Sequence, residues 1–386
     1  MYSRLGGADY YVFRITGPLK GEGARFSILV AGREVVADAY HSFFFHRSGH
    51  VEQLKPVRGI RLAHAAFRVA QDTDDIVLWE SWWWQKRSGL DHLAFEAWSN
   101  AMILLQERDI EAFLKANVSS MILRRIKQYR KKLCDVEIST TDRDLEIFYQ
   151  EFYKPLLENR HGRNAHGSSL ELLQSFGGGS VDKKIMFLSR NGERIAAMLL
   201  LHDRLESCLT IQEYGVVPSL LGDAKGFQTL YAGMNYSAIN WALTSGISKV
   251  SFGGAQNQLS NGVYFYKKQW GAVFERNRER EPVCLKFISA QQILILSAFP
   301  LLYFDRKSPC GILALLPDDT LPQQNSELAK KVKAFACRNM SLLRILVPQP
   351  RLSEFEALDL CEAKPSNLTL DFVGYDPRTM TLPAKT

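Results

Sequence analysis

The sequence predicts an α/β fold in which a mixed sheet is flanked by helices, arranged as two tandem lobes with a C-terminal extension. Two observations carry most of this. Hairpin-like strand signals recur around Gly32 and around Asn191-Gly192. The second half reads in the order helix, helix, strand, strand, strand, helix, strand, which makes one compact α/β lobe. The expected divisions are residues 1–115, 116–285 and 286–386.

The chain has 386 residues, enough for two or three domains, so a single small binding module is excluded. Its 46% hydrophobic and 23% charged residues exclude a mainly disordered, collagenous or coiled-coil chain. The six cysteines lie far apart, with no pair or cluster at zinc-ligand spacing, so no metal is expected and reduced thiols in a cytoplasmic setting are. No secretory signal is expected at the N-terminus. The longest apolar run, from Ile293 to Phe304, falls short of the ~20 residues that cross a bilayer. A net charge of +7 favours an anionic partner: a small or nucleotide-linked substrate, tRNA or a membrane face.

From Arg25 to Val30, through Ala31-Gly32 and out from Arg33 to Tyr40, the pattern predicts a β-hairpin turning at Gly32. A second copy runs from Lys184 through Asn191-Gly192 to His202, and aligning Gly32 with Gly192 suggests a repeat. Ile76 to Trp79 predicts a strand, and Trp82, Trp83 and Trp84 read as packing or as a stacking surface. Ile122, Ile126, Tyr129 and Leu133 recur at helical spacing, while Arg124, Arg125, Lys127, Arg130, Lys131 and Lys132 occupy the other face. That face is either a solvated one or a seat for RNA or an anionic membrane. Thr141 with Asp144 caps a helix bearing Leu145, Phe148 and Phe152, and Ser168 with Glu171 opens another. Ser207 to Tyr214 predicts a strand, and a loop then feeds a long helix striped with Phe227, Leu230, Tyr231, Met234, Ala238, Trp241 and Ala242. Ile247 to Phe252 predicts a strand before the aromatic-basic run Val263 to Gly271. Beyond Lys286 come an apolar helix candidate and a helix from Ser326 to Leu346.

Three strings resemble the GNAT-like acyltransferase superfamily, in its FemAB-like and CelD-like (cellulose and exopolysaccharide biosynthesis) branch. They are the basic helix Ser120 to Leu133; the Phe148 to Gly162 segment ending Asn159-Arg160-His161-Gly162; and Val250 to Gly253 followed by Gly262 to Ala272. The resemblance covers residues 112–286 well, the first lobe weakly and the last hundred or so residues hardly at all. It implies GNAT-like lobes, transfer of an acyl or aminoacyl group to an amine, and a role for Lys267, behind Tyr266, against phosphate or transition-state charge. Ser251 stands where many relatives carry an acid, and the usual pyrophosphate signature is missing. The donor is therefore open between acyl-CoA and aminoacyl-tRNA.

Read as chemistry, such a transfer needs a positioned donor carbonyl, a neutral amine and donors for the oxyanion. Gly222 to Phe227 enters a helix N-terminus, so Gly222, Lys225, Gly226 and Phe227 are the expected seat of the donor's phosphates, or else a plain glycine-rich connection. Glu213 is either a base with a raised pKa or a paired strand carboxylate. Tyr264 and Tyr266 share a face if the run is extended, as proton donors or as packing. Arg160, His161 and Arg163, with His166, form a polar loop suited to an anionic acceptor or simply solvated. The expected function is an N-acyltransferase of cell-envelope or exopolysaccharide biosynthesis, cytoplasmic or peripheral at the inner membrane face. The alternative is a catalytically inactive GNAT-like binding or scaffold protein of a polysaccharide-synthesis assembly.

Overall fold

The computed structural model of the chain describes residues 10–18, 25–44, 49–57, 70, 76–80, 93–96, 98–107, 109–132, 134–161, 167–276, 283–287, 293, 296–297, 300–305, 308–315, 324–356 and 367–375. They form an α/β protein of mixed sheets flanked by helices. Two compact units emerge, neither continuous in sequence. The first draws on Met1–Ser99, Ala255–Phe265 and Phe274–Thr386, the second on Asn100–Gly254 and Tyr266–Val273.

In the first unit a six-stranded sheet has the order His50–Val57, Tyr10–Pro18, Arg25–Gly32, Ile76–Glu80, Val283–Phe287, Leu93–Phe95. The hairpin expected to turn at Gly32 is absent. Gly32 ends a strand whose antiparallel partner is Tyr10–Pro18, with Tyr11 opposite Gly32, and Glu34–Phe44 is a helix. The physical reason is the spacing of Ala37, Tyr40 and Phe44, which buries one helical face. The Gly32–Gly192 alignment therefore matches a strand end to a true turn and marks no repeat.

A four-stranded sheet, Leu301–Asp305, Ser308–Ala314, Leu342–Pro348, Thr369–Tyr375, completes this unit. The helix expected from Ser326 to Leu346 is shorter, Gln324–Phe335. Leu342–Pro348 is instead a strand paired parallel on both sides. A short apolar run of this kind suits a buried strand and a buried helix equally by periodicity. Residues beyond 286, read above as an extension, pack Ile293, Leu301, Tyr303, Leu346 and Tyr375 into one core with Phe13, Ile28, Tyr40 and Leu78.

The second unit holds most of the sheet ordered Val273–Arg276, Trp98–Leu104, Lys249–Gln256, Cys208–Val216, Glu193–Asp203, Val181–Arg190, Asp135–Ser139. Its last four strands form antiparallel ladders. Asn191 (φ 54°) and Gly192 (φ 81°) make the expected hairpin turn, since both tolerate positive φ. Leu145, Phe148, Phe152 and Leu173 pack against Ile185, Phe187, Ala197 and Leu199. The helix carrying Leu173 starts at Leu170 with Ser169 as its cap, one residue later than expected, which leaves Ser168 free for another contact. The basic helix Ser120–Arg130 buries Ile122, Ile126 and Tyr129 as expected. It lies so close to the long helix Ala224–Thr244 that a Cβ at Gly233 would fall inside the Tyr129 ring. Only glycine permits that approach.

Candidate functional site

Cys208–Val216 and Lys249–Gln256 pair in parallel through Cys208–Lys249, Leu209–Val250 and Thr210–Ser251, and there the pairing stops although both strands run on. On its other edge Cys208–Val216 shifts register between Ile211 and Glu213. A bulge of this kind bends a strand and re-aims the side chains beyond it. The second unit's sheet thus opens past Thr210 and Ser251.

An aromatic and amide network stands at this level. The Tyr214 hydroxyl donates to Asn235 Oδ1 at 2.8 Å, and Asn235 Nδ2 donates to the Tyr266 oxygen at 2.8 Å. Tyr231 links the rings, with centroids 4.5 Å from Tyr214 and 5.6 Å from Tyr266, and Phe227 stacks on Tyr231 at 5.9 Å. Asn235 is fully buried. Burial pushes both the Tyr214 and the Tyr266 phenols well above their ordinary range. They stay protonated at neutral pH.

Lys267 is buried and donates from Nζ to Gly254 O at 2.6 Å. Desolvation lowers its pKa to about 8, because burial disfavours the charged amine. It carries charge at pH 7 but loses it within reach of mildly alkaline solution.

The aromatic-basic run forms the helix Gly262–Lys268. Asn261 starts it, its Oδ1 accepting from Val263 N at 2.8 Å and Tyr264 N at 3.3 Å. Residues two apart on a helix diverge by about 200°, so Tyr264 and Tyr266 do not share a face. Tyr264 belongs to the first unit, fully buried, its hydroxyl donating to Phe335 O at 2.7 Å and its ring 4.5 Å from Phe274. Its role there is packing.

Glu213 is not brought to Tyr266. Its Oε1 accepts from Ser168 Oγ at 3.1 Å, and Tyr153, whose hydroxyl accepts from Ser168 N at 2.9 Å, also hydrogen-bonds the carboxylate. Neighbouring strand residues point to opposite faces, which separates Glu213 from Tyr214. Burial raises the pKa of Glu213 against the lowering effect of Ser168 and Tyr153.

The expected phosphate seat is divided. Asp223 caps the long helix, its Oδ1 accepting from Gly226 N at 2.9 Å, so a carboxylate already stands at the positive helix end. Gly222 and Lys225 are exposed, Phe227 joins the Tyr231 ring, and Gly226 lines a cavity on another face. Arg160 and His161 end the helix Lys154–His161, and Arg163 and His166 lie outside the described residues. On the basic helix, Arg125 donates to Gln228 Oε1 at 2.6 Å, and Arg130 pairs with Glu111 and the Tyr236 hydroxyl; Arg124 and Lys127 are exposed.

Sequence reasoning passed over Asn235 and Tyr214. The available signal was a polar amide inside the apolar stripe of the long helix, between Met234 and Ala238. Among the described residues, no group of three His, Cys, Asp or Glu could hold a metal ion, and no helix is long and apolar enough to cross a membrane.

No family model and no curated protein matches the chain. Several solved structures resemble it in part, among them the following three. FemX does so at 11% identity and TM-score 0.38, covering 76% of this chain and 87% of that one. L-PGS from Bacillus licheniformis does so at 11% identity and TM-score 0.36, covering 72% and 81%. A tandem GNAT protein from the clavulanic acid biosynthesis pathway does so at 11% identity and TM-score 0.30, covering 68% and 78%.

Proposed function

We propose that the chain is a GNAT-type N-acyltransferase of the FemAB-like and CelD-like kind, passing an acyl or aminoacyl group from acyl-CoA or aminoacyl-tRNA to an amino group in cell-envelope or exopolysaccharide biosynthesis. The observation that carries this reading is the interrupted ladder between Cys208–Val216 and Lys249–Gln256, with a buried lysine, Lys267, held on Gly254 O beside it. In the transfer, the acceptor nitrogen attacks the donor carbonyl carbon, a C–N bond forms, and the C–S or C–O bond to the carrier breaks. The nitrogen gives up a proton, and the departing thiolate or ribose oxygen takes one. Tyr266, kept as a phenol by burial, is the proton donor to that leaving group. The Lys267 ammonium faces the charge that develops on the carbonyl oxygen, where a preorganised cation in a partly dry site is most effective. Lys225, exposed on the first turn of the long helix, is the counter-charge for the donor's phosphates.

The reaction is assigned to the cytoplasm or the inner membrane face. The exposed cations Arg124, Lys127 and Lys131 are offered there to tRNA or anionic lipid. The anionic acceptor is assigned to the segment holding Arg160, His161 and Arg163.

A second reading, a catalytically inactive GNAT-like scaffold protein, draws on the Asp223 carboxylate standing at the helix end where donor phosphates were expected. The deciding experiment offers the protein a panel of CoA thioesters and aminoacyl-tRNAs, reading melting temperature first and transfer to amine acceptors second. A donor that raises the melting temperature and is consumed supports the enzyme, and Lys267→Ala should then cut turnover by about 10²-fold or more with the fold intact. Binding without turnover favours the scaffold. No shift with any donor sinks the transferase.

A further inference from the structure

The long helix presents a second face to a different space. Gly226, Thr229 and Leu230, at spacing i, i+3 and i+4, line a cavity of about 210 Å³, whereas Phe227 and Tyr231 carry the aromatic cluster with Tyr214 and Tyr266. Successive helical residues turn by about 100°, so the two spaces lie on different sides of the same helix. The rest of the lining comes from the end of the basic helix (Tyr129) and the connection leading to the strand Asp135–Ser139 (Lys132, Cys134), from the hairpin at Asn191-Gly192 (Arg190, Ile195), and from Leu220 and Asp223. All of it belongs to the second unit.

The charges in this cavity are of both signs. Lys132 and Arg190 arrive from separate elements and take part in no ion pair recorded among the described residues. Both act electrostatically on the Cys134 thiol, favouring its thiolate against the effect of burial, so both stand near it. Asp223 supplies the opposite sign. Its Oδ1 accepts from Gly226 N, which leaves its Oδ2 for a further donor. Ile195, Leu220 and Leu230 add an apolar wall. The volume is below the roughly 300–1,000 Å³ of pockets for drug-sized ligands, too small for CoA or a nucleotide and sufficient for one amino acid.

We propose that this cavity is a binding site for a free aliphatic α-amino acid. Its carboxylate meets Arg190 and Lys132, its ammonium meets Asp223 Oδ2, and its side chain lies on Ile195, Leu220 and Leu230. A dianionic phosphate ester would be repelled by Asp223 and an alkylamine by Arg190 and Lys132, so a molecule carrying both charges and an apolar end matches both signs of charge and the apolar wall. The site is independent of the transfer reading and stands whether or not Lys267 takes part in chemistry.

Cys134, half-buried in the lining, supplies its own readout. The full-length protein is alkylated with iodoacetamide at pH 8.5 and Cys134 modification is followed by peptide mass spectrometry, with leucine, isocaproate or isoamylamine present. Leucine should slow the reaction saturably, by about tenfold at ten times its Kd, and each single-charge analogue should protect more weakly. Arg190→Ala should abolish protection by leucine. Asp223→Asn, which keeps a helix cap, should reduce leucine to the level of isocaproate. Melting curves of both variants confirm folding. The proposal is overturned if leucine leaves the Cys134 rate unchanged at tens of millimolar, if isocaproate protects as well as leucine, or if Arg190→Ala retains full protection.

Discussion

Lys267 carries a cost that the second unit bears in its folded state. Its folded pKa is about 8 against about 10.4 for an unfolded lysine. Between these values the unfolded chain binds more protons, so folding stability rises with pH through that window, and below it the full penalty applies. At about 1.4 kcal/mol per unit the penalty is roughly 3 kcal/mol. Relative to Lys267→Met, the wild type should therefore gain stability between pH 7 and pH 10 in urea denaturation, and parallel pH dependences would refute the buried charge. Transfer, in contrast, should weaken as pH rises through about 8, because the ammonium is lost. The resemblance in Tyr266-Lys267 singled the residue out. That it is buried on Gly254 O was not legible, since a solvated lysine and a buried one are the same letter. Glu213, read either as a base with a raised pKa or as a paired carboxylate, has its pKa raised by burial while Ser168 and Tyr153 hydrogen-bond it.

Elements were readable where one face decides. The basic helix buries Ile122, Ile126 and Tyr129, and the long helix runs Ala224–Thr244 through the expected stripe. The contact between them adds a condition the pattern does not show. By helix propensity, Gly233→Ala should stabilise by about 1 kcal/mol; by packing, its Cβ meets the Tyr129 ring, and overpacking costs about 1–3 kcal/mol. Packing should prevail, lowering the melting temperature, with Tyr129→Ala in the same chain restoring tolerance for the alanine. A stabilised Gly233→Ala would mean the helices do not approach so closely. Short apolar runs were ambiguous. Gly262–Lys268 is helical because Asn261 caps it, and alternating tyrosines and a phenylalanine signal packing without specifying its period. Leu342–Pro348 is a strand because Ser308–Ala314 and Thr369–Tyr375 stand ready on either side.

At the scale of the molecule, the chain order and the compact units differ. Cutting after residue 285 would remove Ile293, Leu301, Tyr303, Leu346 and Tyr375 from the core they share with Phe13, Ile28 and Tyr40. A chain of residues 1–285 should therefore lose cooperative melting by circular dichroism and become insoluble, whereas a true appendage could be deleted without loss. By itself the sequence determined an α/β class, the amphipathic helices and the Asn191-Gly192 turn, because periodicity and turn chemistry act between residues close along the chain. Tertiary structure alone decided which strands become neighbours, that the parallel ladder ends at Thr210 and Ser251, that Tyr264 and Tyr266 part company, and that one helix borders both an aromatic cluster and a mixed-charge cavity. These depend on contacts between residues far apart in sequence, whose free energy comes from burial and pairing that no local pattern contains.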